Sequence, residues 1–522
     1  MKERGWILAV GGFLVLLLWF MLKPEKFLPL AATSPNSRSE SISPGPFLPS
    51  ANPAKGTSVL GKDASSSVDA NLETGSGKEV PGEKLVRFSS PDSYRKFLAL
   101  APPGAVLGQL DALNSARVKT GSWLSGALAQ TGGTVSGNFY VRVPEVPLEV
   151  RQKGDALYQV VGKKALDLIG AEAVTDAWGK GVKIALMDTP LDGVDQVEGE
   201  TAGHGTAMKS LILGQKGPAR GAAPGAELVS FAVLDRNGKG NSFGLAEAIL
   251  RAADQGFRVI NMSLGSDGDS PVVQSAVAYA LARNVVLVAA AGNDAVNRVS
   301  CPAAYDGVVA VASVDAGGNH LYFSNRGKAV DVAAPGYSVV ADWPGGKNVE
   351  VSGTSASTAL VTGAVAALLS REPNLSGKQA VDLIVKYADA TGLPGSTEEI
   401  GGGVLNLQRV LDRNQRGQVD LAVGGVTLRP EGDQGSLVVG IQNRGTETVN
   451  SLSLEITAGE ERKKFYFGSL APGSTATQSM MVDLSRARQQ GGISAGAGVS
   501  VRGDQRPGND LWTGYFRISK EK

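Results

Sequence analysis

Cysteine is almost absent: one residue, Cys301, in a chain of 522. That excludes an intrachain disulfide framework in any compartment. The neighbours Pro302, Ala303, Ala304 and Tyr305 suit a small buried side chain better than a reactive thiol. Charge of one sign is missing too, since 51 lysines and arginines face 50 aspartates and glutamates. No nucleic acid or other strongly charged partner is expected from that balance. Histidine is nearly as scarce as cysteine, with two residues, so imidazole chemistry has two candidates. His320 precedes Leu321-Tyr322-Phe323 in a loop-like stretch and reads as structural. His204 is set in Gly203-His204-Gly205-Thr206.

Long apolar runs are also scarce. The conspicuous one covers residues 6–22, after Lys2, Glu3 and Arg4. It lies at the lower limit of a membrane-spanning helix and exceeds an ordinary signal-peptide core. Lys23, Pro24, Glu25 and Lys26 come next, an unusual start for a cleavage region. An uncleaved anchor therefore fits better than a cleaved signal; either way the remainder is expected to be exported, to the cell envelope or beyond. No cysteine lies nearby, which excludes a lipoprotein anchor.

Composition divides the rest of the chain. Residues 31–83 are rich in Ser, Pro, Gly and Ala, as in a flexible tether. Residues 84–150 regain apolar character, for example in Tyr94-Arg95-Lys96-Phe97-Leu98 and Asn138-Phe139-Tyr140-Val141-Arg142-Val143. Over residues 155–413, strand-like runs at 228–233, 259–262, 285–290, 308–314 and 330–333 alternate with helix-like spacing at 243–255, 271–283, 356–369 and 376–388. Such alternation predicts an α/β fold with a doubly wound, largely parallel sheet covered on both faces. Residues 418–520 change to short strands separated by turn signals such as Asn443-Arg444-Gly445 and Ala471-Pro472-Gly473, which predicts an all-β sandwich.

Three short stretches of the middle region carry reactive side chains. Ala185-Leu186-Met187-Asp188-Thr189 ends an apolar strand-like run in a carboxylate. Gly203-His204-Gly205-Thr206 brings an imidazole, and Gly353-Thr354-Ser355-Ala356-Ser357 a hydroxyl at the start of an apolar helix. A serine is a poor nucleophile unless a base takes its proton, and histidine, with an ordinary pKa of about 6.5, suits that task. A buried carboxylate then fixes the tautomer and stabilises the imidazolium. Candidate catalytic residues are therefore Asp188, His204 and Ser355. Asp188 closes a strand at the carboxyl edge, where open α/β sheets bind ligands. Ser355 at a helix N-terminus sits in a field that favours negative charge.

The order Asp, His, Ser with these neighbours resembles the subtilisin-like serine proteases, the subtilase family. The resemblance covers residues 155–413, with Asp331-Val332-Ala333-Ala334-Pro335-Gly336 as a further family-like segment. It implies that Asn293, after the run Val285 to Gly292, donates its amide to the oxyanion beside the Ser355 N–H. It also implies substrate binding by Ser263, Leu264 and Gly265, which would pair with an extended peptide, and by Ala290, Ala291 and Gly292 as pocket walls, with Ser300 near the floor. Small uncharged walls suggest apolar residues before the scissile bond. Residues 84–150 would be a propeptide that assists folding and blocks the cleft. Pro190 stands where glycine is usual, so that turn must differ. Ala356, Ala359 and Leu360 replace the usual Met, Pro and His. The connection from Asp188 to His204 is short, so calcium-ligand segments common there are absent, and neither metal nor cofactor is expected. The C-terminal pattern of Asp420-Leu421, Asn443-Arg444-Gly445 and Asn509-Asp510 resembles CARDB-type adhesion-like domains.

Together these features imply an exported, membrane-tethered serine endopeptidase acting on polypeptides through an acyl-enzyme. The alternative is a catalytically silent relative that serves the cell envelope as a binding or adhesion protein.

Overall fold

The computed structural model describes residues 78–153, 158–191, 201–215 and 217–518. The apolar run at 6–22 and most of the expected tether lie outside the described residues. Among the described residues no helix is long and apolar enough to cross a membrane.

The first strand, β1 (Glu79–Arg87), opens inside the stretch expected to be tether. Its early residues, Glu79 to Lys84, are exposed or half-buried and include Pro81 and Gly82, so composition hides them; they are ordered by backbone pairing, Glu79 with Phe139 of β4 (Thr134–Arg142). With β2 (Val106–Leu110) and β3 (Ser115–Lys119), these strands form an antiparallel sheet in the order β2-β3-β1-β4. Short β7 (Lys239–Asn241), from farther along the chain, adds to the end of β4. Two helices, α1 (Pro91–Leu100) and α2 (Ser122–Thr131), close a small core of Val86, Phe88, Tyr94, Phe97, Ala116, Val118, Leu124 and Ala127. Alternation along β1 divides its two faces. Val86 turns to these helices, whereas Leu85 joins a core of the following region that also holds Val141 and Val143.

That region is built on six parallel strands: β5 (Lys183–Asp188), β6 (Glu227–Ala232), β8 (Val259–Met262), β9 (Val286–Ala290), β10 (Val308–Val314) and β11 (Val332–Pro335). Their order is β11-β10-β9-β8-β5-β6. Ile184 and Leu186 of β5 face one core, shared with α3 (His204–Leu213) and α6 (Thr354–Arg371). Ala185 and Met187 face the other, shared with α4 (Ser242–Asp254) and α5 (Pro271–Leu281). A hairpin of β12 (Val339–Trp343) and β13 (Lys347–Val351) leads into α6. Both faces of the parallel sheet are covered, which is why its strands read as continuous apolar runs. The architecture is the predicted doubly wound α/β fold. Sheet order reverses at β5, which has β6 on one side and β8 on the other, so a crevice opens at the carboxyl ends of β5 and β8.

Helix bounds differ from the sequence expectation at functional ends. Apolar spacing places the start of one helix at Ala356, but α6 begins at Thr354, and α3 begins at His204 itself. Polar first-turn residues carry no apolar periodicity, yet their backbone is helical. Ala359 and Leu360 are fully buried inside an uninterrupted α6.

Seven antiparallel strands complete the fold. β14 (Leu421–Glu431), β15 (Gln434–Asn443) and β18 (Thr475–Asp483) form one sheet. β16 (Val449–Ala458), β17 (Glu461–Leu470), β19 (Gly492–Ser500) and β20 (Leu511–Arg517) form the other. Leu437, Val439 and Ile441 from the first sheet meet Leu452, Leu454, Ile456, Val499 and Phe516 from the second in one core. This is the predicted β-sandwich. Its three motif pieces gather at one end: Asn509 Nδ2 donates to Asp420 Oδ1 (2.9 Å), and Arg444 N donates to Asp420 O (2.7 Å).

That end is fastened to the parallel-sheet region by a buried ion cluster. Asp389 pairs with Arg409 (2.9 Å) and Arg444 (3.2 Å), while Arg409 also donates to Tyr387 O, Ala388 O and Arg444 O. Burial raises the Asp389 pKa, but the Arg444 and Arg409 guanidiniums outweigh it and hold the carboxyl below its ordinary value. Asp389→Ala leaves the buried Arg409 without its carboxylate and is expected to cost about 3–5 kcal/mol. Urea unfolding measures it; a change under about 1 kcal/mol, the usual worth of a surface pair, would mean that the cluster contributes nothing to holding the fold.

Candidate active site

Asp188 ends β5 fully buried. Its Oδ1 accepts the Thr189 N–H (2.7 Å) and lies 2.7 Å from His204 Nδ1. With Pro190 two residues on, the Asp188 carboxylate still meets both Thr189 N and His204 Nδ1. Thr189 keeps the N–H that Asp188 needs, and its Oγ1 accepts Gly205 N (2.9 Å), tying the turn to the first turn of α3. Asp188 Oδ2 is buried with no partner among the described residues. The pair therefore meets through one carboxylate oxygen, and Nδ1 carries the proton in that contact. His320 is the contrasting imidazole: burial and the nearby Arg326 push it down to about 3, so it stays neutral at physiological pH.

Ser355 occupies the first turn of α6, whose leading N–H groups have no intrahelical acceptor. Two hydrogen bonds staple that turn to the end of β8: Ser263 Oγ donates to Ser355 O (3.0 Å), and Ser355 Oγ donates to Ser263 O (3.3 Å). Asn261 and Thr362 extend the staple inward, Asn261 Nδ2 to Ser263 Oγ (3.0 Å) and Thr362 Oγ1 to Asn261 Oδ1 (2.8 Å). Since β8 lies beside β5 and α3 packs on α6, Ser355 is delivered to the same crevice as Asp188 and His204.

Asn293 comes after β9. Its Oδ1 accepts Thr354 N and Thr354 Oγ1, each at 3.0 Å, so its Nδ2 is aimed outward. Gly353, at φ +119°, makes room for it: a Cβ there would stand 2.6 Å from Asn293 Nδ2. Thr354, Thr189 and Asn261 are the site residues that sequence reasoning passed over. Two of them sit inside the quoted motifs, but their partners are far along the chain.

The acceptor of Asn293 Nδ2 is Pro144 O, at 3.0 Å. Residues 140–146 run through the crevice as a strap. On one side Tyr140, Val141 and Arg142 pair antiparallel with Asn241, Gly240 and Lys239 of β7. On the other, Arg142 exchanges both backbone hydrogen bonds with Gly265 (2.9 and 2.8 Å). Val143 N donates to Gly238 O (3.0 Å), and the Arg142 guanidinium reaches Asp294 (3.3 Å) and Glu145 (3.7 Å). The Pro144 ring lies over Gly265, where an added Cβ would be 3.9 Å from Pro144 Cγ and 3.2 Å from Ser300 Cβ. Beyond it, Val146 packs with Val150, Leu321, Phe323 and Tyr337.

The other expected binding residues divide. Gly265 pairs with the strap through its backbone and Ser263 O accepts the Ser355 hydroxyl, whereas Leu264 is fully buried in the core that holds Val141. Ala290 and Ala291 are fully buried as well, and Gly292 N donates to Thr354 Oγ1 (3.3 Å). Among the described residues no group of His, Cys, Asp or Glu has the geometry of a metal site.

Residues 179–403 match the model of the subtilase family. Subtilisin BL of Lederbergia lenta is 34% identical over 246 residues, covering 44% of this chain and 90% of the relative. Subtilisin DY of Bacillus licheniformis is 34% identical over 266 residues, covering 47% and 96%. A solved protease domain of PatA aligns at 28% identity and a TM-score of 0.42, covering 45% of this chain and 95% of that one. The chain belongs to the subtilase family. It is a subtilisin-like serine endopeptidase, a hydrolase of peptide bonds.

Proposed function

We propose that Ser355 is the nucleophile of this endopeptidase, His204 its general base and acid, Asp188 the carboxylate that orients His204, and Asn293 an oxyanion donor. The observation that carries this reading is a pair of contacts in one crevice: Asp188 on His204 Nδ1 at 2.7 Å, and Asn293 Nδ2 on a peptide carbonyl at 3.0 Å. With Nδ1 holding its proton against the carboxylate, Nε2 is left as the base for the serine hydroxyl. The attacked carbonyl oxygen gains negative charge, which the Asn293 amide and the Ser355 N–H stabilise more in the transition state than in the ground state.

Substrate polypeptides bind as an added antiparallel strand along Ser263 to Gly265, with Ala290 to Gly292 and Ser300 bounding the pocket for the residue before the scissile bond. Residues 84–150 serve as a propeptide. Residues 6–22 direct export and tether the enzyme to the membrane through the segment up to β1. The C-terminal sandwich is a CARDB-like accessory module. Pro144 Cγ, 3.9 Å from where a Gly265 Cβ would stand, supports small apolar residues at that position.

A fluorophosphonate probe is expected to label the purified full chain at Ser355 and to leave His204→Ala unlabelled. Equal labelling of both would refute the assignment. Asn293→Ala is expected to lower kcat about 100- to 1000-fold with KM nearly constant, a loss of the size that a subtilisin suffers on losing its corresponding donor. Steady-state kinetics on a fluorogenic peptide reads that split.

A further inference from the structure

The strap is held as a substrate would be, but one of its residues withholds a hydrogen bond that the crevice is built to accept. Arg142 and Gly265 exchange both N–H···O bonds. In an antiparallel pair such doubly bonded positions recur every second residue. Two residues on, that register sets Pro144 opposite Ser263, where the residue at 144 should donate its N–H to Ser263 O. Proline has no N–H. Ser263 O accepts the Ser355 hydroxyl instead, at 3.3 Å. Meanwhile the Pro144 carbonyl oxygen is already on Asn293 Nδ2, so its carbon is the electrophile that the site presents to the serine.

We propose that Pro144–Glu145 is the bond at which the chain cuts itself, and that Pro144 is a built-in brake on that cut. The proposal rests on the assignment of Ser355, His204 and Asn293 given above. In the step, Ser355 Oγ adds to the Pro144 carbonyl carbon and its proton passes to His204 Nε2. The Pro144–Glu145 C–N bond breaks as Nε2 returns the proton to the Glu145 nitrogen. Water then hydrolyses the ester between Ser355 and Pro144, leaving a carboxylate on Pro144, a new amino terminus at Glu145 and a restored hydroxyl. Before the first addition the hydroxyl must leave Ser263 O and turn to His204. With any residue other than proline at 144, the backbone N–H occupies Ser263 O and frees the hydroxyl for the base. The strap thus fills the crevice through β7, Gly265, the Asp294 ion pair and the Val146 contacts, while the missing donor slows its removal.

The test follows the purified full chain by intact mass and N-terminal sequencing over time, alongside hydrolysis of an external fluorogenic peptide. Expected are a slow new terminus at Glu145 in the wild type, none in Ser355→Ala, and the same terminus about tenfold faster in Pro144→Ala, the effect of one hydrogen bond on a barrier. Pro144→Ser restores the same N–H and is expected to match Pro144→Ala, which guards against one variant misfolding. A first cut at another bond overturns the proposal, as does a Pro144→Ala chain that matures no faster than the wild type. So does external peptide hydrolysis with no self-cleavage in any variant; in each of these cases the triad assignment survives. Absence of external hydrolysis in every chain, with Ser355→Ala processed like the wild type, would instead remove the triad assignment.

Discussion

Replacing Ser355 by alanine is expected to lower peptide hydrolysis about a millionfold, the loss a subtilisin suffers when it loses its triad serine. The size reflects the way the groups act together. Under the proposed assignment, loss of the hydroxyl leaves His204 no proton to take and no acyl intermediate to form, so the remaining acceleration comes from the oxyanion donors and binding alone. The loss should fall on kcat. Ser355 O is a main-chain atom that alanine keeps, so the hydrogen bond it accepts from Ser263 Oγ survives, and the melting temperature should shift little. Hydrolysis of casein or a fluorogenic peptide at wild-type rate by the alanine variant would eliminate Ser355 as nucleophile.

Asp188→Asn is expected to cost about 10⁴-fold in kcat, the size known for the same change in another class of serine protease. Asp188 Oδ1 serves both the Thr189 N–H and His204 Nδ1, and the second oxygen has no partner among the described residues. An asparagine can present its oxygen there and keep both contacts, but it carries no charge to stabilise the imidazolium. If its amide nitrogen turns to His204 instead, the ring proton must move to Nε2, where it blocks acceptance from Ser355. Either orientation damages the base, and side-chain volume is unchanged. A variant that lost stability but kept its kcat would show Asp188 to be a structural residue rather than a catalytic one.

Local chemistry makes part of this molecule legible in the bare sequence. Asp188, His204 and Ser355 stand out because each reactive side chain needs particular close neighbours: a strand end for the carboxylate, and small residues and a helix start for the imidazole and the hydroxyl. The parallel sheet is legible because Ile184, Ala185, Leu186 and Met187 are all apolar, which only a strand covered on both faces requires. Thr354 escapes notice because its function is a hydrogen bond to Asn293, far away in the chain. The start of β1 at Glu79 escapes for a related reason: a strand opening that includes Pro81 and Gly82 resembles a tether until its backbone partners are known. The Asp389–Arg409–Arg444 cluster is likewise invisible as sequence, since its members become costly and mutually dependent only once packing removes water from them.

Residue order alone therefore settled the family-like chemistry, the α/β region and the change to β-sandwich, because these depend on side-chain type and short-range period. Which carbonyl lies on Asn293, and that Arg142 pairs with Gly265, was decided by the tertiary fold. Strand pairing is made by backbone groups that every residue but proline shares, so its partners and register emerge only when distant segments meet.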